Sequence, residues 1–269
     1  MVGQAGDVRL GPLDRALAAL AEQPVPAWDR RRHFAAGRAE TIAYVLALDT
    51  LNFCFWGGRG GYWRLAEGLR DAFQAGVTDP GRLAAELDRW VGDLPLLPER
   101  QAALRELAEA GDPERLVQPT ATGTARALAG ELASFRDVAD YAGREVPLLK
   151  RAQLAAADLA GAGAAAFPDL ADLTCFADYK LPQALRHLGV LDYSERLARR
   201  VDDWRELRPG EPAEVEIRAA TVVAVERLRD VLEAAGRRLR AFEVDWLLWT
   251  YSQGLYPVRP HHRVRTIYY

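Results

Sequence analysis

Lysine is nearly missing from this chain: every basic residue is arginine except Lys150 and Lys180. Cysteine is scarce too, and Cys54 and Cys175 lie too far apart to suggest a disulfide framework or a metal-ligand pair. They read as buried, reduced thiols. The four histidines are scattered and add no zinc spacing. Positive charge is not in excess either. Lys and Arg total 35 against 38 Asp and Glu, and a net charge of −3 argues against general binding of duplex nucleic acid. No apolar run is long enough for a bilayer, and no basic segment leads into an apolar one at the start, so a cytoplasmic protein is expected. The glycine run around Arg59 lacks the spacing of a phosphate-binding loop. No repeat period emerges.

What remains is ample for folding. The 269 residues are 49% hydrophobic, which excludes disorder and allows a substantial core. The chain is read as one compact unit over 1–269, or as two helical lobes, about 1–145 and 146–269, with a site between them. Apolar spacing predicts helices over 12–22, from Arg38 to about Leu48, and from Tyr62 to about Ala75. Two or three more fall between Asp79 and Arg115, where Glu99, Arg100, Arg105 and Glu106 read as a solvent face. Long Ala-rich helices are expected over Thr122–Tyr141 and from Pro147 to about Ala166, with Gln153 and Asp158 on the surface. Helices over Pro212–Leu232 and Ala241–Gln253 complete the set. Phe53 and Phe55 alternate about Cys54 as in a short strand, and the tail Arg259–Tyr269 alternates basic and apolar residues as a docked strand would. The fold class is therefore mainly α, with a few short strands near 52–63 and at the C-terminus.

Polar residues in apolar surroundings mark the candidate site. Asn52 lies between Leu51 and Phe53, and Asp245 lies in an aromatic, apolar helix, so both need partners if buried. Phe176-Ala177-Asp178-Tyr179-Lys180 is an acidic, aromatic and basic cluster just ahead of Pro182. Core building does not require it. Pro182 suits a first helical turn, Gly189 a helix end, and Ser194 or Asp192 a cap, so two short helices joined by a tight turn follow. His33, beside Arg32, reads as a surface histidine near a helix entrance.

Leu51-Asn52-Phe53-Cys54-Phe55-Trp56, Gly61-Tyr62-Trp63, Phe176–Gln183 and His187-Leu188-Gly189 occur in one order. Glu214–Arg218, Asp245–Trp249 and His262–Tyr269 continue that order. Together these blocks resemble the queuosine salvage proteins, which are queuosine 5′-phosphate N-glycosylases. The resemblance implies a helical fold like the helix–hairpin–helix DNA glycosylases. It also implies hydrolysis of the N-glycosidic bond of queuosine 5′-monophosphate, releasing queuine, by a monomer needing no metal or cofactor. The partner is then a small nucleotide, with no membrane and no stable nucleic-acid partner. A 7-deazaguanine lacks N7, so catalysis must stabilise an oxocarbenium-like sugar and the departing base.

Asp245 and Asp178 are the catalytic candidates on this resemblance. Asp245 is placed at the sugar and Asp178 at the base, with the reverse assignment left open. Phe176 and Trp246 are expected to stack on the base, with His33 and Asp178 reading its polar groups and Asn52 as a further substrate-binding residue. Lys180, His262, Arg263 and Arg265 are expected at the phosphate. Some relatives carry an acid where Thr250 stands, which weakens any catalytic role there. A DNA-repair glycosylase or a non-catalytic nucleic-acid-binding module is the alternative, disfavoured by the acidic charge and by Leu181-Pro182-Gln183 where a glycine-rich turn would be.

Overall fold

Pro212 and Glu214 open the longest helix, Pro212–Ala234, in a computed structural model that describes residues 6–269. Pro212 lacks a donor where none is needed, and the acidic first turn suits the positive end of the helix. Val215, Ile217, Ala220, Ala224, Val225 and Leu228 are all fully buried along it. The described residues form twelve α-helices and four short strands. Among them no helix is long and apolar enough to cross a membrane.

The chain divides into two compact units, each assembled from separate stretches. One comprises the residues up to Pro26, Val138–Leu148 and Leu173–Arg265. Its helices are Asp14–Leu20, Lys180–His187, Glu195–Asp202, Pro212–Ala234 and Ala241–Gln253. Val8–Leu10 pairs antiparallel with Leu191–Tyr193, Val8 opposite Tyr193. That strand lies within the link between helices Lys180–His187 and Glu195–Asp202, where a tight turn was expected. Gly189 does end the first helix region in the left-handed conformation, φ +78°, and the Ser194 hydroxyl caps the second by accepting from Leu197 N–H at 3.2 Å.

Val138–Tyr141 and Arg144–Pro147 form a two-stranded hairpin, which corrects the helical reading of residues 132–141 and 147–149. Ala142 and Gly143 both have positive φ, the turn geometry whose twist matches paired strands. The flanking helices are accordingly shorter, Ala121–Glu131 and Lys150–Gly161.

The other unit comprises Ala27–Asp137, Leu149–Asp172 and Thr266–Tyr269. Helix Arg38–Thr50 is its axis, buried along the whole of Tyr44–Thr50. The segment after it corrects two expectations. No strand forms over 52–63, and Arg100, placed on a solvent face, is fully buried. The two corrections share a cause. Six successive carbonyls, Asp49 to Cys54, find cationic side chains instead of a neighbouring strand. Arg151 donates to Asp49 O at 3.0 Å and to Thr50 O; Lys150 Nζ donates to Asn52 O at 3.1 Å. Arg100 takes Leu51 O, Phe53 O and, at 3.1 Å, Cys54 O. Buried backbone acceptors need partners, and three buried cations supply them. Asp158 is also buried, not on the surface.

Candidate active site

The acidic–aromatic–basic stretch is held from two helices of its own unit. From Ala241–Gln253, Asp245 is 4% exposed and accepts the backbone N–H of Phe176 at 2.6 Å. From Pro212–Ala234, buried Arg218 donates through Nε to Ala177 O at 2.9 Å and pairs with Glu214 at 3.4 Å. Asp178 then uses Oδ1 to accept Lys180 N–H at 2.7 Å and Leu181 N–H at 3.0 Å, closing the open end of helix Lys180–His187. Asp245 and Asp178 thus flank one three-residue segment. Their charges, with that of Glu226, add to burial in pushing the Cys175 thiol well above its ordinary pKa. It stays protonated there. Phe176 is buried, while Trp246 is partly exposed and packs edge-on to Phe242, ring centres 5.0 Å apart.

A second cluster lies along the C-terminal tail. The tail makes a single bridge, Val264 with Leu207, rather than the expected strand. Its burial nevertheless alternates, with His262, Val264 and Thr266 inside and His261, Arg263 and Arg265 further out. His261 packs against Tyr179 with the rings tilted and their centres 4.5 Å apart, and donates from Nδ1 to His262 O at 2.7 Å. Burial lowers its pKa to about 4, helped by the positive charges of Lys180 and Arg263. Both charges therefore act on one neutral histidine. His262 is fully enclosed, and burial, with His261 and Arg218, lowers its pKa to about 3. Neither histidine supplies charge near neutrality. Lys180 Nζ donates to Gln183 at 3.2 Å, whose amide donates to Arg259 O at 2.7 Å, linking the stretch to the tail. Arg265 is exposed and pairs with Glu206 at 3.5 Å.

His33 and Asn52 belong to the other unit. His33 is 4% exposed, which corrects the surface reading. Its Nδ1 lies 2.9 Å from Asp29 O, which can only accept, so Nδ1 carries the proton and Nε2 accepts the Tyr62 hydroxyl at 2.8 Å. Burial lowers its pKa, and Trp28 stacks on the ring at 4.1 Å. Asn52 donates to Asp49 Oδ1 at 3.2 Å. Burial raises the Asp49 pKa to about 7 against the opposing pull of Lys150, Asn52 and Arg151.

Residues 32–269 match the family described as queuosine salvage protein. The chain belongs to that family. A similar protein from Sphaerobacter thermophilus, 42% identical, is named queuosine 5′-phosphate N-glycosylase/hydrolase; the match covers 91% of this chain and 86% of that one. Proteins of the same name from Dictyostelium discoideum and Mus musculus are 37% and 30% identical, each over 85% of this chain and 78% and 82% of theirs. Arg218, which holds Ala177 O from the long helix, is a residue to which sequence reasoning gave no role. Its only local signal is the Glu214–Arg218 spacing of one helical turn.

Proposed function

We propose that this protein hydrolyses the N-glycosidic bond of queuosine 5′-monophosphate. The bond from the ribose C1′ to the base nitrogen breaks with its electron pair leaving on the base, which gains a proton. Water adds hydroxide to C1′, so the products are queuine and ribose 5-phosphate. The observation that carries this reading is a buried carboxylate, Asp245, fixed by the Phe176 N–H in the unit that also holds Lys180 and Arg263. The name shared by the similar proteins supports the same chemistry.

In this reading the fixed carboxylate of Asp245 faces the sugar and offsets its developing positive charge, worth most where water is excluded. Asp178 meets the guanidine-like edge or the side-chain ammonium of the base; the two carboxylates in exchanged roles remain the variant of this proposal. Phe176 and Trp246 stack on the base. Lys180 and Arg263 hold the phosphate, the first as a point charge and the second as a fork. Arg265 adds to their field, and His262 serves as a neutral hydrogen-bonding group. The proposal extends to a kinship with helix–hairpin–helix DNA glycosylases, a monomer and a cytoplasmic location. Supplying the protein with queuosine 5′-monophosphate, queuosine and duplex DNA, and measuring the free base, tests it. Release from the nucleotide is the expected result, and release from DNA alone would overturn it.

A further inference from the structure

Trp204 occupies a backbone position that favours glycine. Helix Glu195–Asp202 ends with Trp204 N–H donating to Val201 O at 3.0 Å and Arg205 N–H to Arg200 O at 2.9 Å. This pairing places the residue after the cap in the left-handed region, and Trp204 has φ +60°. A β-carbon there crowds the following carbonyl oxygen, at a cost in stability. Burial does not offset that cost, because the side chain is 45% exposed. The indole instead lies under the Arg263 guanidinium, 4.0 Å from its centre, and stands edge-on to His261 at 5.9 Å. The strands of chain on either side are joined as well: Leu207 N–H donates to Arg263 O at 2.8 Å.

We infer that Trp204 is a positioning residue for phosphate recognition, fixing the plane of the Arg263 guanidinium so that its donors meet the phosphate of a phosphorylated sugar. This rests on the reading that Arg263 holds the 5′-phosphate. Guanidinium donors are coplanar, so two parallel bonds to a phosphate need the plane set in advance. An aromatic face under that plane sets it without itself occupying the edge, and attraction between cation and ring retains it. His261, packed against Tyr179 and neutral, stands edge-on to the indole without competing for the anion.

The test uses ribose 5-phosphate and ribose as ligands, with kcat/KM on phosphorylated and unphosphorylated queuosine beside them. Trp204→Gly removes the ring and suits the backbone, so its thermal midpoint should equal or exceed that of the parent. Its preference for the phosphorylated ligand should nevertheless fall about fivefold to tenfold, carried by KM and not kcat. Trp204→Phe should restore most of the preference. In an Arg263→Ala background, Trp204→Gly should add no further loss. Retained preference in Trp204→Gly, beside its loss in Arg263→Ala, would overturn the positioning role alone. Undiminished preference in Arg263→Ala, or a parent protein that binds no ribose 5-phosphate, would overturn it together with the phosphate reading.

Discussion

Asp178 Oδ1 accepts the backbone N–H groups of both Lys180 and Leu181, so one oxygen of a candidate catalytic carboxylate also holds a helix in place. Charge and architecture at this residue are separable by substitution. Asp178→Asn keeps an acceptor oxygen and should leave the thermal midpoint within a few degrees, while base release falls. Asp178→Ala removes the acceptor and should also cost about 1 kcal/mol of stability, the usual value of a lost cap. Parallel thermal melts and product assays check this. Equal destabilisation in the two variants would contradict it.

Lys180 and Arg263 both bear on His261, and the phosphate reading makes them partners. Lys180→Ala and Arg263→Ala should each reduce kcat/KM for queuosine 5′-monophosphate roughly tenfold or more, while changing queuosine hydrolysis little. Kinetics on both substrates decide the matter. Equal losses on the two would mean that these residues serve the base or the fold.

The helices of this site were legible because their signals are local. Ser194, Pro212 and Gly189 mark ends, and leucines mark faces, without reference to distant chain. Phe176–Lys180 stood out for a different reason, its mixture of acidic, aromatic and basic residues ahead of a helix, although Phe176 and Tyr179 are themselves buried. Arg100 was not. In sequence it is one more polar residue on an amphipathic helix, and only folding brings it to carbonyls some 46 to 49 residues away. The hairpin at Ala142-Gly143 was missed because an alanine-rich helical pattern runs into it, and alanine seldom marks such a turn. Arg218 was missed for the same reason as Arg100, since its contact at Ala177 O is 41 residues distant.

The Arg100 clamp makes its own prediction. Arg100→Met preserves much of the volume but leaves the carbonyls of Leu51, Phe53 and Cys54 without this donor. A loss of about 3 kcal/mol or more is expected. Arg100→Lys should recover only part of it, because an ammonium cannot fork across several carbonyls. Urea unfolding of the three proteins checks the order, and a Met variant as stable as the parent would contradict the clamp.

His262 gives the acid side of the stability curve a definite sign. Its folded pKa, about 3, lies below the ordinary 6.5, so the native state holds it neutral. The associated stability is therefore present above pH 6.5 and lost as the pH falls toward 3. At pH 5 the loss is about 2 kcal/mol for one such group. His262→Gln cannot titrate, and its unfolding free energy should fall less steeply between pH 7 and 5. Parallel slopes in variant and parent would show that the titration lies elsewhere.

The central claim is that the Asp245 carboxylate, held by the Phe176 N–H, carries hydrolysis at the sugar. Asp245→Asn is nearly isosteric and retains an oxygen for that N–H, but cannot offset positive charge. Single-turnover release of queuine from queuosine 5′-monophosphate is the direct measurement. The variant should be slower by roughly a hundredfold or more, while substrate affinity and thermal midpoint stay near the parent values. A variant releasing queuine at the parent rate would contradict the claim.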